Sequence, residues 1–180
     1  FPHGHGHQAR LLQHMTDVAD AATRSRMMSG IQGKNTKPEI AVRKGLHRLG
    51  LRFRLNGAGL PGKPDLVLAK HRTVVFIHGC FWHAHACSAF HLPASNTAFW
   101  REKLQKNVAR DRKQVDELRS LGWRILVIWE CALKIPKTGN PSELFQIIRD
   151  WIVDCDFPYT EIYKAAGNGL CKRITTNRAL

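Results

Sequence analysis

The segment HGCFWHAHAC, residues 78–87, constrains the fold of this chain more than any other feature of its sequence. It places three histidines, two cysteines and two large aromatic rings directly after an apolar run, so it cannot be ordinary core. A fourth candidate ligand, Cys131, lies two residues after the end of a second apolar run, WRILVIW at residues 123–129. If the two runs are neighbouring strands, their ends bring together Cys80, His85, Cys87 and Cys131. Three thiolates and an imidazole form a closed tetrahedral set, so we predict a structural zinc site. The alternative is a pair of reduced buried cysteines beside surface histidines.

Periodic apolar residues on both sides of this segment predict an α/β domain. Thr36-Lys37-Pro38-Glu39 is a capping-box pattern with a proline in the first turn, which predicts a helix over about residues 37–49. Three β-rich runs follow at residues 51–55, 65–68 and 73–77, and they favour an antiparallel opening to a sheet. The remaining pattern predicts a helix over 97–122, a strand over 123–129 and an amphipathic helix from Ser142. We therefore expect a mixed central sheet flanked by helices.

A carboxylate introduces the second of these strands, in Gly62-Lys63-Pro64-Asp65. This arrangement is similar to the Pro-Asp of many Mg-dependent nucleases, although Pro-Asp is also common turn chemistry. Such nucleases usually carry an acidic residue and a lysine on the following strand, whereas here that strand ends in Phe76-Ile77-His78. A metal ion at Asp65 must therefore be held in a different way.

Two helix carboxylates and two histidines complete the candidate chemistry. Phosphodiester hydrolysis needs a cation, a base for the attacking water and a proton source for the leaving oxygen. Glu39 is a candidate, with the capping-box partner of Thr36 as its alternative role. Asp111 lies in the apolar stripe of its helix, so it must meet a cation, a donor or water at a metal, and a simple ion pair is the alternative. His78 and His83 remain once His85 binds zinc, and histidine suits proton transfer at neutral pH.

The charge of the chain points to a polyanionic partner. Lysine and arginine number 28 against 14 acidic residues, which gives a formal charge of +14 and a pI of about 10.1. We predict nucleic acid as the partner, with a solvated basic surface as the alternative. Apolar runs are too short for a membrane span, and the odd count of five cysteines favours a reducing cytoplasm.

Several segments together resemble the very short patch repair (Vsr) mismatch endonucleases. They are Pro64-Asp65, FIHGCFWHAHAC, Phe99-Trp100, KNVARD at residues 106–111 and LGWRILVIWECAL at residues 121–133. The resemblance runs from about Ala22 to Leu133 and implies a restriction-endonuclease-like fold. It also implies that the protein nicks one strand of duplex DNA 5′ to the thymine of a T:G mismatch, which arises when 5-methylcytosine deaminates. A monomer with a functional link to a cytosine-5 methyltransferase and mismatch-repair proteins would fit that role.

The resemblance also implies roles for single residues. Asp65 resembles the carboxylate that binds two catalytic Mg²⁺ ions together with the backbone carbonyl of residue 77, where Ile77 replaces a threonine common in the family. His83 is similar to the family's candidate general base. Three further residues resemble those that hold waters near the metal and the cleaved phosphate: Glu39, His78 and Asp111. The zinc ligands match one for one: Cys80, His85, Cys87 and Cys131.

DNA contacts follow from the same resemblance. Three aromatic residues are similar to those that wedge into the base stack from the major groove: Phe81, Trp82 and Trp100. Inserting rings costs least at a mispair, so intercalation can itself select mismatched DNA; a core position is the alternative for the two tryptophans. Met28 resembles a minor-groove wedge of the N-terminal arm. Lys103 and Asn107, one helical turn apart, are candidate base or phosphate readers, with a solvated helix face as the alternative.

We expect four parts along the chain. Residues 1–14 are tag-like or an upstream extension that we expect to be disordered, and 15–35 form a DNA-contacting arm. Residues 36–160 form the endonuclease domain, and 161–180 form a C-terminal tail. Two other functions stay open at this point: a restriction or homing-type endonuclease that cuts paired DNA, and a zinc-containing DNA-binding protein without catalysis.

Overall fold

The computed structural model describes residues 34–134, 141–164 and 170–174, so Met28 and most of the expected N-terminal arm lie outside the described residues. The described elements follow one another along the chain in this order: α1 (Lys37–Arg48), β1 (Arg54–Leu55), β2 (Leu66–Leu68), a 3-10 helix (Ala69–His71), β3 (Thr73–His78), α2 (Thr97–Ser120), β4 (Arg124–Trp129), α3 (Glu130–Leu133), α4 (Pro141–Asp154), β5 (Tyr159–Lys164) and β6 (Leu170–Ile174). None of the helices within these ranges is long and apolar enough to cross a membrane.

The strands form one six-stranded sheet in chain order, from β1 to β6. β1, β2 and β3 pair antiparallel, β4 lies parallel to both β3 and β5, and β6 pairs antiparallel with β5. The predicted mixed sheet with helices is confirmed. Because β2 and β3 run in opposite directions, the start of β2 lies beside the end of β3, which is the edge that carries the candidate site.

Helices cover both faces of this sheet. Successive strand residues point to opposite faces, so Leu66 and Leu68 pack with α1 and α4, whereas Val67 between them packs on the side of α2. α1 approaches α4 closely at Gly45, where an added Cβ would lie 2.5 Å from the ring of Phe145. The α4 stripe that the sequence predicts is buried in the first of these layers: Leu144, Ile148, Trp151 and Ile152.

The start of α1 follows from its sequence. The Thr36 hydroxyl accepts a hydrogen bond from the Glu39 amide, and the Glu39 carboxylate accepts one from the Thr36 amide. This is the predicted capping box, and it satisfies two amides that the helix itself leaves unpaired. α1 and α2 begin at the predicted residues and end within two residues of the predicted ends.

Two parts of the sheet differ from the sequence-based expectation. Only Arg54–Leu55 of the expected strand at 51–55 pairs with β2, because Leu51 is buried in the core instead. Residues expected to belong to a C-terminal tail form most of β5 and all of β6. β5 is held by its parallel pairing with β4, a contact that no local pattern in the tail reveals.

Candidate active site and metal centre

A cleft of about 900 Å³ opens at the edge where β2 begins and β3 ends. α1 supplies its wall through Glu39, and α2 crosses the other side with Asp111. The cleft brings together all five predicted catalytic residues and Ile77, which come from five different segments: Glu39, Asp65, Ile77, His78, His83 and Asp111. This convergence is a property of the sheet topology, because Asp65 and Ile77 are neighbours only through the β2–β3 hairpin.

Asp65 lies at the base of the cleft with its charge only weakly compensated. Its Oδ2 accepts a hydrogen bond from the Ile77 amide at 2.7 Å. Burial is the main cause that raises the pKa of Asp65; the Ile77 hydrogen bond lowers this pKa and nearby Glu39 raises it, and the net value is about 6. Two acidic groups in one partly buried cleft, one of them with a raised pKa, are the arrangement expected where a cation is to bind. The oxygen donors present suit Mg²⁺.

Glu39 serves its capping role and lines the cleft at the same time. Its side chain is buried, with 6% of the residue exposed. Besides the capping box, it accepts a 2.6 Å hydrogen bond from the Arg43 guanidinium one turn further along α1. The two roles that the sequence left as alternatives are therefore compatible in position.

His78 and His83 stack on each other beside Asp111. Their ring centroids lie 3.7 Å apart with an interplanar angle of 2°. His83 Nδ1 contacts Asp111 Oδ2 at 2.5 Å, so the partner that a buried Asp111 requires is a histidine. Burial, and secondly the neighbouring His83, lower the pKa of His78 to about 3, so His78 is neutral at physiological pH. For Asp111, burial raises the pKa, but the His83 contact outweighs it and the pKa lies below its usual value.

The four predicted zinc ligands form one cluster at the ends of β3 and β4. Their ligand atoms all lie within 4.8 Å of one another, and Cys131 Sγ lies 3.6 Å from His85 Nδ1. Zinc with Zn–S distances of about 2.3 Å would separate its tetrahedral ligands by roughly 3.5–4 Å, so the cluster fits this metal. Burial raises the pKa of the Cys80 thiol to about 12, so without a metal this buried thiol stays protonated.

Two contacts support the zinc cluster from outside its ligands. The Lys164 amide of β5 donates a hydrogen bond to Cys131 Sγ at 3.4 Å. The Trp129 ring stacks on His85 with centroids 4.1 Å apart, and its indole N–H donates to Glu161 at 2.9 Å. Sequence reasoning assigned no role to Trp129 or Glu161. The position of Trp129 two residues before Cys131 was the available signal.

The predicted DNA-contacting aromatics lie together next to the cleft. The ring of Phe81 lies 5.0 Å from that of Trp82 and 5.3 Å from that of Trp100. All three are partly exposed and belong to neither core cluster. Lys103 Nζ lies 5.2 Å from the Trp100 ring centroid, and Asn107 Nδ2 donates to the Trp82 carbonyl at 3.0 Å. We call Phe81, Trp82 and Trp100 the aromatic surface.

The cleft also contains residues to which sequence reasoning gave no role. Four of them carry charged or amide side chains: Lys63, Arg110, Gln114 and Glu130. Lys63 and Glu130 directly flank predicted site segments, Pro64-Asp65 and Cys131, and Arg110 precedes Asp111. Proximity in sequence to a predicted ligand was therefore the signal that could have found three of the four.

Comparison with known proteins identifies the family. The family model described as DNA mismatch endonuclease Vsr matches residues 16–89. The DNA mismatch endonuclease Vsr of Escherichia coli is 46% identical over 138 residues, which are 77% of this chain and 88% of that protein. The chain belongs to the Vsr family of DNA mismatch endonucleases.

Other relatives carry the name type II nicking enzyme. V.NmeAIP of Neisseria meningitidis serogroup A is 52% identical over 120 residues, covering 67% of this chain and 86% of the relative. V.XorIIP of Xanthomonas oryzae pv. oryzae is 45% identical over 119 residues, covering 66% and 88%.

Proposed function

We propose that this Vsr-family chain nicks one strand of duplex DNA 5′ to the thymine of a T:G mismatch by Mg²⁺-dependent hydrolysis. Family membership makes it an endonuclease that acts on DNA. The names of its relatives, mismatch endonuclease and nicking enzyme, support the mismatch and the single cut. The observation that carries the proposal is the convergence of Asp65, Ile77 and the His83–Asp111 pair in one cleft beside the aromatic surface.

The cleft side chains suggest how the phosphodiester is hydrolysed. The Asp65 carboxylate and the Ile77 carbonyl would hold Mg²⁺, whose chemistry, when the ion is bound, would be to neutralise charge on the phosphate. The Asp111 carboxylate accepts a hydrogen bond from His83 Nδ1, which leaves Nε2 to take a proton from the attacking water. Asp111 then stabilises the imidazolium that forms. His78 is neutral and stacks on His83, so it is suited to form a neutral hydrogen bond to the phosphate rather than an ion pair with it.

The zinc cluster is proposed to be structural and to hold the recognition loop. Cys80 and His85 lie at the two ends of the segment that contains Phe81, Trp82 and His83. A metal bound by both ends fixes two rings of the aromatic surface and the proposed base in one rigid turn. All four protein ligands are present, and a closed set leaves no position for substrate.

The aromatic surface is proposed to select the mismatch. Rings inserted into the base stack must separate neighbouring base pairs, and that separation costs least at a mispair. The Lys103 ammonium above the Trp100 and Trp82 rings adds positive charge where the DNA backbone would pass. Residues 15–35 with Met28 are the proposed minor-groove arm.

We also propose a fold class, an oligomeric state and a cellular location for this endonuclease. A restriction-endonuclease-like arrangement is supported by the mixed sheet with Asp65 at the start of β2 and the Ile77 carbonyl at the end of β3. We propose a monomer that acts in the cytoplasm, after a cytosine-5 methyltransferase has produced the methylated base.

Cleavage of duplexes labelled on both strands tests this function. We expect one nick 5′ to the mispaired thymine with Mg²⁺, seen on a denaturing gel, and no cut of the matched T:A duplex. Cleavage of both strands of the paired duplex would instead indicate a restriction or homing-type endonuclease. Binding without any cut would indicate a zinc-containing DNA-binding protein.

A further inference from the structure

We propose that Lys63 contacts the scissile phosphate and stabilises the negative charge that develops on it. The inference rests on the proposed function of the same cleft. β3 brings neither a lysine nor an acid to the cleft, because its last residues are Phe76-Ile77-His78. A cation from the protein must then come from another segment. Among the described residues that line the cleft, the lysine and arginine side chains are Lys63 and Arg110.

Of these two cations, Lys63 is the one without an acidic partner. Both side chains are exposed, but Arg110 lies 3.8 Å from the Asp111 carboxylate. No carboxylate in the described part of the chain forms an ion pair with Lys63, although Asp65 and Glu39 line the same cleft. An unpaired ammonium at the rim of a site for a phosphodiester is available for a charge-assisted hydrogen bond to a phosphate oxygen.

The backbone around Lys63 is fixed relative to Asp65. The Lys63 amide donates to the Leu60 carbonyl at 3.1 Å. On the other side of the turn, the Gly57 amide donates to the Pro64 carbonyl at 2.9 Å, and the Asn56 amide donates to the Asp65 carbonyl at 3.1 Å. The lysine therefore begins from a rigid turn two residues before the proposed metal ligand, as a group that positions a phosphate requires.

Lys63 has a backbone conformation that lysine adopts only at a cost, which it shares with Arg72 and Ala84. Lys63 has a φ of 49° and follows Gly62 with a φ of 72°. At Gly62 an added Cβ would lie 2.8 Å from Gln114 Oε1 and 3.2 Å from Phe76 Cε1, so the turn packs directly on α2 and β3. Glycine or asparagine would adopt the left-handed conformation of residue 63 at lower cost than lysine. Strain of this kind is common where a side chain is held for function.

Single-turnover nicking of a T:G duplex at saturating enzyme tests the inference, with the dissociation constant and melting temperature measured on the same samples. The variants are Lys63→Gln and Lys63→Arg, and the matched control is Lys70→Gln, an exposed lysine on the 3-10 helix at the other end of the β2–β3 hairpin. We expect Lys63→Gln to slow the nicking step by about 100-fold while affinity and melting temperature change little. Lys63→Arg keeps the charge and should recover most of the rate, and Lys70→Gln should nick within about threefold of the unsubstituted protein.

Three results would overturn the inference. A nicking step in Lys63→Gln within threefold of the unsubstituted protein would show that the ammonium does not act on the reacting phosphate. If Lys63→Gln lost affinity for the duplex but nicked at an unchanged rate, Lys63 would be a general contact to the DNA backbone. An equal loss of affinity in Lys70→Gln would lead to the same conclusion. If the unsubstituted protein did not nick at the mismatch, the proposed function would be wrong and this inference with it. The lane of the unsubstituted protein on the same gel separates this result from the other two.

Discussion

Partial burial shifts the pKa values of two groups in the cleft in opposite directions. The half-buried acid Asp65 has a raised pKa, the half-buried base His78 has a lowered pKa, and His83 shares a hydrogen bond with Asp111. Such groups are costly to stability and useful for chemistry, since each is poised to gain a partner when substrate and metal bind.

Asp65→Asn should stabilise the protein in the absence of Mg²⁺. The folded-state pKa of Asp65 is about 6 against an ordinary value of 3.8, so the folded state binds more protons than the unfolded state between these values. Stability from this group is therefore present below about pH 4 and is lost as the pH rises through about 6. At pH 8 the free energy of unfolding of the asparagine variant should be up to roughly 3 kcal/mol higher than that of the unsubstituted protein.

Urea unfolding in Mg²⁺-free buffer at pH 4 and pH 8 measures this difference. The two proteins should converge at the lower pH. Added Mg²⁺ should stabilise the unsubstituted protein and leave Asp65→Asn unchanged. A less stable asparagine variant at pH 8 would contradict the electrostatic account of Asp65.

Asp111→Asn should slow nicking without weakening DNA binding. The amide cannot stabilise an imidazolium at His83 and does not fix the ring tautomer that leaves Nε2 as the base. We expect a loss of about 100-fold or more in the single-turnover nicking rate. Asp116→Asn, an exposed aspartate on the same helix, serves as the control and should behave like the unsubstituted protein. Equal rates for both variants would show that the His83–Asp111 pair is not the base.

The site residues themselves could be predicted, but not their contacts. Asp65, His83 and Asp111 stand out in the sequence by chemistry and by the family resemblance. That Asp111 pairs with His83, 28 residues earlier, depends on how α2 crosses the sheet. The stacking of His78 on His83 depends equally on the turn at the end of β3. Local patterns carry no record of such distances, so the pairings became visible only in three dimensions.

The loop of residues 79–87 and α2 lie side by side next to the cleft, and we propose that together they form the recognition side of the protein. Cys80, His85 and Cys87 of this loop lie next to Cys131, which follows β4, with all four ligand atoms within 4.8 Å of one another. α2 contributes Trp100 to the aromatic surface and Asn107 to the backbone of the loop. Cys80 and Cys87 also pack in the core cluster on the α2 side of the sheet, and we propose that a bound metal ion fixes the rest of the loop.

Cys87→Ser should release zinc and loosen this loop. The buried thiol Cys80 would lose the ion that favours its thiolate form, and the turn with Phe81 and Trp82 would lose one of its anchors. We expect bound zinc to fall from one per chain to near zero by elemental analysis, with a lower melting temperature and loss of nicking. Cys155→Ser, a half-buried cysteine outside the cluster, should retain its zinc. Full zinc content in Cys87→Ser would contradict the proposed ligand set.

Trp100→Ala should reduce discrimination between mismatched and paired DNA. Removing a ring that stacks on bases should cost about 1–3 kcal/mol in binding a T:G duplex and much less in binding the T:A duplex. Leu121→Ala removes an exposed apolar side chain at the far end of α2 and provides the control. Competition binding with both duplexes measures the ratio. An equal loss on both duplexes would make Trp100 a structural residue or a non-specific contact.

Elements with strong local signals were predicted, and those that depend on distant pairing were not. The capping box at Thr36 marks α1, and the apolar run at 123–129 marks β4. β5 alternates buried Thr160 and Ile162 with less buried neighbours, but this pattern is short and crosses the boundary that the sequence predicts between the domain and its C-terminal tail at residue 160. Its place in the sheet comes from parallel pairing with β4 across the α4 connection, which requires the fold as a whole.

For the whole molecule, charge and topology act together. A formal charge of +14 attracts any duplex, and this attraction alone gives no sequence or mismatch preference. The sheet places the cleft, the zinc cluster and the aromatic surface at one edge, so DNA held there meets all three. We infer that the positive charge provides affinity for DNA, that the aromatic surface selects mismatched over paired DNA, and that the residues of the cleft hydrolyse the phosphodiester.

The most direct test of this account is the single-turnover nicking of a T:G duplex by the unsubstituted protein and by Asp65→Asn, with DNA binding measured on the same samples. We predict one nick 5′ to the mispaired thymine for the unsubstituted protein with Mg²⁺. Asp65→Asn should bind the duplex comparably and nick at least about 1000-fold more slowly. A variant that still nicks at the same position and rate, or an unsubstituted protein that cuts both strands of paired DNA, would contradict the account.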